Sequence, residues 1–131
     1  MEVRTEVETK TRYPRVSTER SKRILRDLWK LKQKHAVELL LAYTNKRGRW
    51  VCGLCKRAFS DVAHLETHAA RLHKREYRMA LRRALEDATC KYGGIPSTVI
   101  NAFFSRAREK PQPDEVKRIG RLKLYLYYKG E

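Results

Sequence analysis

Four residues of this 131-residue chain constrain it more than any others. They are Cys52 and Cys55, followed by His68 and His73, in the spacing C-x2-C-x12-H-x4-H. Two thiols on a tight turn and two imidazoles on one helix face can converge on a single tetrahedral ion. A borderline-soft divalent cation such as Zn²⁺ suits two sulfurs and two nitrogens. The short span between the cysteines fits a β-turn, with Gly53 allowing backbone N–H groups to point at the sulfurs. His68 and His73 lie a little over one helical turn apart, which asks for slight loosening of the last turn. His64 is a rival ligand, but its use would shorten the cysteine-to-histidine span and displace Leu65 from its register. Four protein ligands fill the shell, so the one expected Zn²⁺ is structural, with no catalytic residue around it.

The pattern extends beyond the ligands. Trp50 stands two residues before Cys52, Phe59 four after Cys55 and Leu65 three before His68. On these residues the segment 50–73 resembles the C2H2 zinc-finger family. The resemblance implies a ββα finger with Trp50, Phe59 and Leu65 as its miniature core. It also implies that Asp61, His64 and Thr67 occupy the helix positions that read bases in the major groove. None of the three is Arg, so bidentate contact to guanine is missing. Asp61 can accept from cytosine or cap the helix, and His64 can contact guanine or stand exposed. One finger reads only ~3 base pairs. The chain also looks like the small C2H2 DNA-binding proteins of archaea and their viruses.

Charge supplies the second constraint. Lys and Arg number 31 against 15 Asp and Glu, a formal net charge of +16. That excess opposes compaction and is relieved by a polyanion, nucleic acid above all. The cations available for phosphates are Lys46, Arg47, Arg49, Lys56 and Arg57 before the finger helix, and Arg71, Lys74, Arg75, Arg78 and Arg82 along it. Such contacts give affinity without sequence information. Scarce amides (Asn45, Asn101, Gln33 and Gln112) and dense charge hint at a hot-living source.

The fold class read from the whole chain is α+β and mostly helical, with one ββα finger embedded between long helices and a small sheet from terminal strands. Residues 1–16 form an N-terminal strand or arm, since Val3, Thr5, Val7, Thr9, Thr11 and Tyr13 alternate with charged residues up to Pro14. Residues 17–45 form a basic amphipathic helix, capped by Ser17 or Thr18 and running to about Tyr43. Ile24, Leu25, Leu28, Leu31, Val37, Leu40 and Leu41 make its apolar stripe. The finger occupies 46–75, after a turn at Thr44–Arg49. Residues 76–131 carry a helical extension, a further helix and a C-terminal strand. The finger helix is expected to run on to about Ala88, with Tyr77, Leu81, Ala84 and Ala88 as a seam, and to stop at Gly93–Gly94. A helix follows from Pro96, with Val99, Ile100, Phe103 and Phe104 apolar, and a helical turn from Pro113 to Ile119. Leu122, Leu124, Leu126 and Tyr128 alternate as a strand that could pair with the N-terminal strand or with its own copy in a homodimer. The stretch from Gly93 to Arg106 with this strand is compatible with a helix–turn–helix-like unit and a wing.

Three cysteines, two of them committed to a metal, leave Cys90 unmatched and argue against a disulfide framework. No signal peptide or membrane span is expected, because the N-terminus is polar and Leu39–Tyr43 is the longest apolar run. The expected location is intracellular, cytoplasmic or nucleoid-associated, or nuclear in a eukaryote. Three functions compete: a DNA-binding transcriptional regulator, an RNA- or ribosome-associated protein, and a protein-interaction module. Double-stranded DNA is favoured over RNA as partner. An enzyme is not expected, because acidic residues are scattered and no nucleophile or phosphate-loop motif is present.

Overall fold

The computed structural model of the chain describes residues 18–105 and 110–130. The expected strand at 2–13 lies outside them. The elements are α1 (Glu19–Leu39), β1 (Tyr43–Thr44), β2 (Trp50–Val51), β3 (Ala58–Phe59), α2 (Val62–Leu72), α3 (Lys74–Tyr92), β4 (Ile95–Pro96), α4 (Ser97–Phe103), β5 (Glu115–Ile119) and β6 (Leu122–Leu126). Two small antiparallel sheets accompany the helices, so the class is α+β. The described chain divides into two compact units, 29–87 and the remainder on either side of it. Both α1 and α3 contribute to each unit.

In the 29–87 unit, α1 ends four residues before the expected Tyr43. Leu41 takes a left-handed conformation (φ 54°), and the amide of Ala42 returns to the carbonyl of Val37 at 3.0 Å. This is a helix stop built without glycine. It removes Leu41 from the apolar stripe and leaves it 67% exposed, whereas Ala36 and Leu40 are buried. The chain turns straight into β1, which pairs with β2, and β2 pairs with β3. The β1–β2 turn is tied by Asn45, whose Oδ1 accepts from the amides of Arg47 and Arg49, both at 3.0 Å. On α3 the buried positions are Ala80, Leu81, Ala84 and Leu85, the expected seam widened by its neighbours.

In the other unit, Thr18 caps α1 by accepting from the amide of Ser21 at 3.0 Å. Ile24 and Leu28 on α1, Ala88 on α3, and Ile95, Val99, Ile100, Phe104, Leu126 and Tyr127 are all buried. The α3 helix stops where expected, with Gly93 at φ 77°. The residues from Glu115 to Ile119 are a strand, not the expected helical turn, and they pair residue for residue with β6. Pairing decides this: all five residues are exposed, so the backbone ladder with β6, and not burial, holds them extended. The sheet order is β4-β6-β5, so β6 is bonded on both sides within the described chain. Both sides of β6, expected to pair with the N-terminal strand or with its own copy, are thus taken by β4 and β5. After Gly93 a single seven-residue helix, α4, is described before the hairpin.

Candidate metal centre and basic groove

The metal ligands come from two local structures. The first is a knuckle between β2 and β3. The amide of Lys56 donates to the carbonyl of Cys52 at 2.7 Å, and that of Cys52 to the carbonyl of Arg57 at 2.9 Å, with Lys56 left-handed at φ 69°. Within this turn the backbone N–H groups of Cys55 and Leu54 address the Cys52 sulfur. Gly53 has a second reason beside the one expected. Its φ is ordinary, but a Cβ there would strike the Leu41 carbonyl and come within 2.8 Å of the Leu40 carbonyl. Its amide donates to that Leu40 carbonyl at 2.9 Å. The knuckle thus sits directly on the end of α1.

The second source is α2, where His68 lies inside the helix and His73 is its C-cap, with φ −127° and ψ 58°. The helix does not run on smoothly into α3. Five residues of regular helix rotate the second imidazole about 140° away from the first, so the backbone breaks at His73 to bring the ring round. The interruption is the single residue His73, between helices ending at Leu72 and starting at Lys74. Hydrogen bonding continues on both sides, with the His73 amide donating to Ala69 O at 2.8 Å and its carbonyl accepting from Tyr77 at 2.9 Å.

Together these segments place one ligand atom from each of Cys52, Cys55, His68 and His73 within 4.8 Å of one another. Cys55 Sγ is 3.2 Å from His68 Nε2, and Cys52 Sγ is 3.6 Å from His73 Nε2. A tetrahedral Zn²⁺ with ordinary bond lengths sets such sulfur–nitrogen edges at about 3.5 Å. The residues fit one structural ion. His64 lies outside this cluster among the described residues, and its Nδ1 is 2.7 Å from Asp61 Oδ1. Cys52 is fully buried and His68 nearly so. Around them, Leu40, Leu65 and Ala69 are buried, and Val37, Ala42, Trp50, Phe59, Val62 and Tyr77 pack on as partly buried neighbours. The Phe59 ring lies 4.7 Å from that of His68. The expected core of Trp50, Phe59 and Leu65 is present, enlarged by residues of α1 and α3.

Burial pushes the Cys52 thiol pKa upward, and Cys55 beside it adds to the rise, against the opposing pull of the Cys55 and Leu54 amides. A metal ion must therefore displace a proton from Cys52 at neutral pH. Burial lowers the His68 pKa, reinforced by His73 and the Arg57 charge, so its imidazole stays a neutral donor to lower pH than an ordinary histidine. The affinity for metal is expected to fall with pH below neutrality, by about tenfold per unit for each thiol proton displaced. Calorimetric titration in two buffers of different ionisation enthalpy reads the protons released. Binding without proton release would contradict this account.

The remaining expected site residues fall into distinct places. Asp61 is the N-cap of α2, accepting from the His64 amide at 3.0 Å. That bond first, and the His64 side chain second, hold its carboxyl below the usual range. Its capping role is thus met, and its oxygen is engaged. Thr67 donates its hydroxyl to Ala63 O at 3.1 Å. His64 engages Nδ1 and is otherwise exposed. Lys56 lies over the Tyr43 ring at 5.9 Å. Arg49, Arg57, Arg71, Lys74, Arg75 and Arg78 are all exposed, whereas Arg82 is held by Glu86 at 2.8 Å.

A shallow groove of about 330 Å³ runs beside the metal ligands, lined by Arg57, Phe59, His64, Thr67, His68, Arg71 and Leu72. His64, Thr67 and Arg71 share one face of α2 by their spacing, and Arg57 faces them from the knuckle. Sequence spacing alone did not pair Arg57 with Arg71. No family model, curated protein or solved structure matches the chain. Its four-ligand cluster is C2H2-like in arrangement. Among the described residues no helix is long and apolar enough to cross a membrane.

Proposed function

We propose that the chain is a zinc-dependent nucleic-acid-binding protein that engages duplex DNA as a transcriptional regulator. The observation that carries this reading is the exposed cationic surface at Arg57 and Arg71, beside a groove that both help to line with His64, Thr67 and the ligand residue His68. The two guanidiniums suit phosphate oxygens, and His64 is an exposed ring lining the same groove, able to meet a base edge. Lys74, Arg75 and Arg78 extend the cationic surface along α3. Zinc is the ion this donor set favours, and its role is to hold the knuckle and α2 together.

Base reading is weak in this arrangement, because Asp61 and Thr67 spend their polar groups on their own helix. Affinity therefore comes chiefly from phosphates. Between 50 and 200 mM salt the association constant for duplex is expected to fall about 10³-fold or more, as for six or more phosphate contacts. Replacing Arg57 and Arg71 together by Gln is expected to flatten the log–log salt slope by about 1.8. A flat salt dependence in the native chain would defeat the proposal. The same weak base reading favours RNA as the second reading. Site selection from random duplex DNA, run against a structured RNA pool, decides between them: enrichment of RNA alone would replace the first reading by the second.

A further inference from the structure

A second cationic surface is carried by the other unit, on the β5–β6 hairpin. Lys117, Arg118, Arg121 and Lys123 place four cations within seven residues, with no acid among them. Arg118 and Lys123 are direct cross-strand partners. Like charges so placed oppose strand pairing. Among the described residues no carboxylate is ion-paired to any of the four. The acids of this region sit at the other end. Glu115 accepts from the Tyr128 hydroxyl, and Asp114 from the Tyr128 amide at 2.7 Å.

The turn is Gly120–Arg121, with Gly120 at φ 63°, a two-residue connection that keeps the ribbon narrow. Side chains alternate between faces, so Lys117, Ile119 and Leu122 lie on one face near the turn while Arg118 and Lys123 lie on the other. Ile119 is 61% exposed and Leu122 44%. Cations on an edge strand commonly serve to block edge-to-edge aggregation. That role covers Lys117 and Arg118 on β5. It leaves Arg121 in the turn and Lys123 on the central strand without a reason, and an edge guarded for solubility would not expose Ile119.

We propose that this hairpin is a second nucleic-acid contact, entering the major groove of B-form duplex DNA as a two-stranded ribbon. The inference rests on the duplex-binding reading above. The B-form major groove admits such a ribbon, and it is lined by phosphates on both walls. Cations on both faces meet both walls, and Ile119 and Leu122 at the tip meet the apolar thymine methyl groups on its floor. The deep, narrow major groove of A-form RNA does not admit the ribbon.

The test uses the full zinc-loaded chain. Lysine acetylation followed by mass spectrometry is expected to show Lys117 and Lys123 protected by a random-sequence DNA duplex and unprotected by an RNA duplex. In parallel, Gln at all four positions (K117Q, R118Q, R121Q and K123Q) is expected to flatten the DNA salt slope by about 3.6 and weaken binding tenfold or more at moderate salt. The acetylation experiment needs no variant, so it stands if the fourfold substitution fails to fold. Native affinity and slope in the variant, with both lysines of the native chain still reactive on DNA, overturn the hairpin inference and leave the groove at Arg57 and Arg71 intact. A native chain that binds no duplex overturns both. Protection by vesicles of one part phosphatidylglycerol to three parts phosphatidylcholine, without protection by DNA, overturns the inference in favour of a lipid surface.

Discussion

Chelation of zinc at neutral pH is expected to unfold the β1-β2-β3 sheet and α2. The sheet offers only two-residue strands, and the buried cluster around it is Leu40, Cys52, Leu65 and Ala69. One of those four is itself a ligand. Without the ion, a buried thiol and the nearly buried His68 ring lose the partner that justifies their position. Binding energies of structural zinc, roughly 10–16 kcal/mol in small finger units, exceed the stability such a core can supply alone. Trp50 reports the event, since it packs on the cluster while partly buried. In a Trp29→Phe background its emission is expected to shift to longer wavelength on chelation and to return with added zinc. Cys52→Ser should behave as the chelated chain, and Cys90→Ser as the native one, because Cys90 is exposed and outside the ligand set. An emission spectrum and melting curve indifferent to chelator would defeat the metal assignment.

Gly53→Ala is expected to be nearly as damaging, although it adds one methyl group. That methyl would fall on the Leu41 carbonyl, on backbone that cannot rotate aside. The end of α1 must back away, which costs the Gly53–Leu40 hydrogen bond and draws Leu40 out of the cluster. Such a bond is worth about 1 kcal/mol, and partial loss of a buried leucine about 2 kcal/mol or more. Together they predict a fall in zinc affinity on the order of 100-fold. Gly48→Ala is the control. It meets open space and carries only the left-handed penalty at φ 78°, so about 1 kcal/mol is expected there. Competitive zinc titration of both variants gives the comparison. Equal affinities would show that the α1 contact does not brace the knuckle.

The ligand set was legible because cysteine and histidine at fixed intervals have few other uses, and because Trp50, Phe59 and Leu65 stood in register around them. The seams of α1 and α3 were legible from apolar spacing. What escaped depends on contacts distant in sequence. Leu40 belongs to the stripe of α1, yet its place against Cys52 follows from a left-handed Leu41 that no propensity rule points to. Glu115–Ile119 carries a helix-compatible opening and becomes a strand because β6 is available beside it. Arg57 and Arg71 come to line one groove only once the knuckle has been folded onto α2. Asp61 was legible as a cap or a base acceptor, and hydrogen bonding to His64 selects the cap.

The interruption at His73 has a consequence for the whole stretch from Val62 to Tyr92. Amide and carbonyl bonds on either side show that each half is a regular helix, so nothing in their composition forbids a single rod. What forbids it is the choice of four residues between the imidazoles, since a rod would aim the two rings at different quadrants. An ion held by both rings would pin the interruption at His73, so the departure from regular helix there is written into the spacing of two side chains.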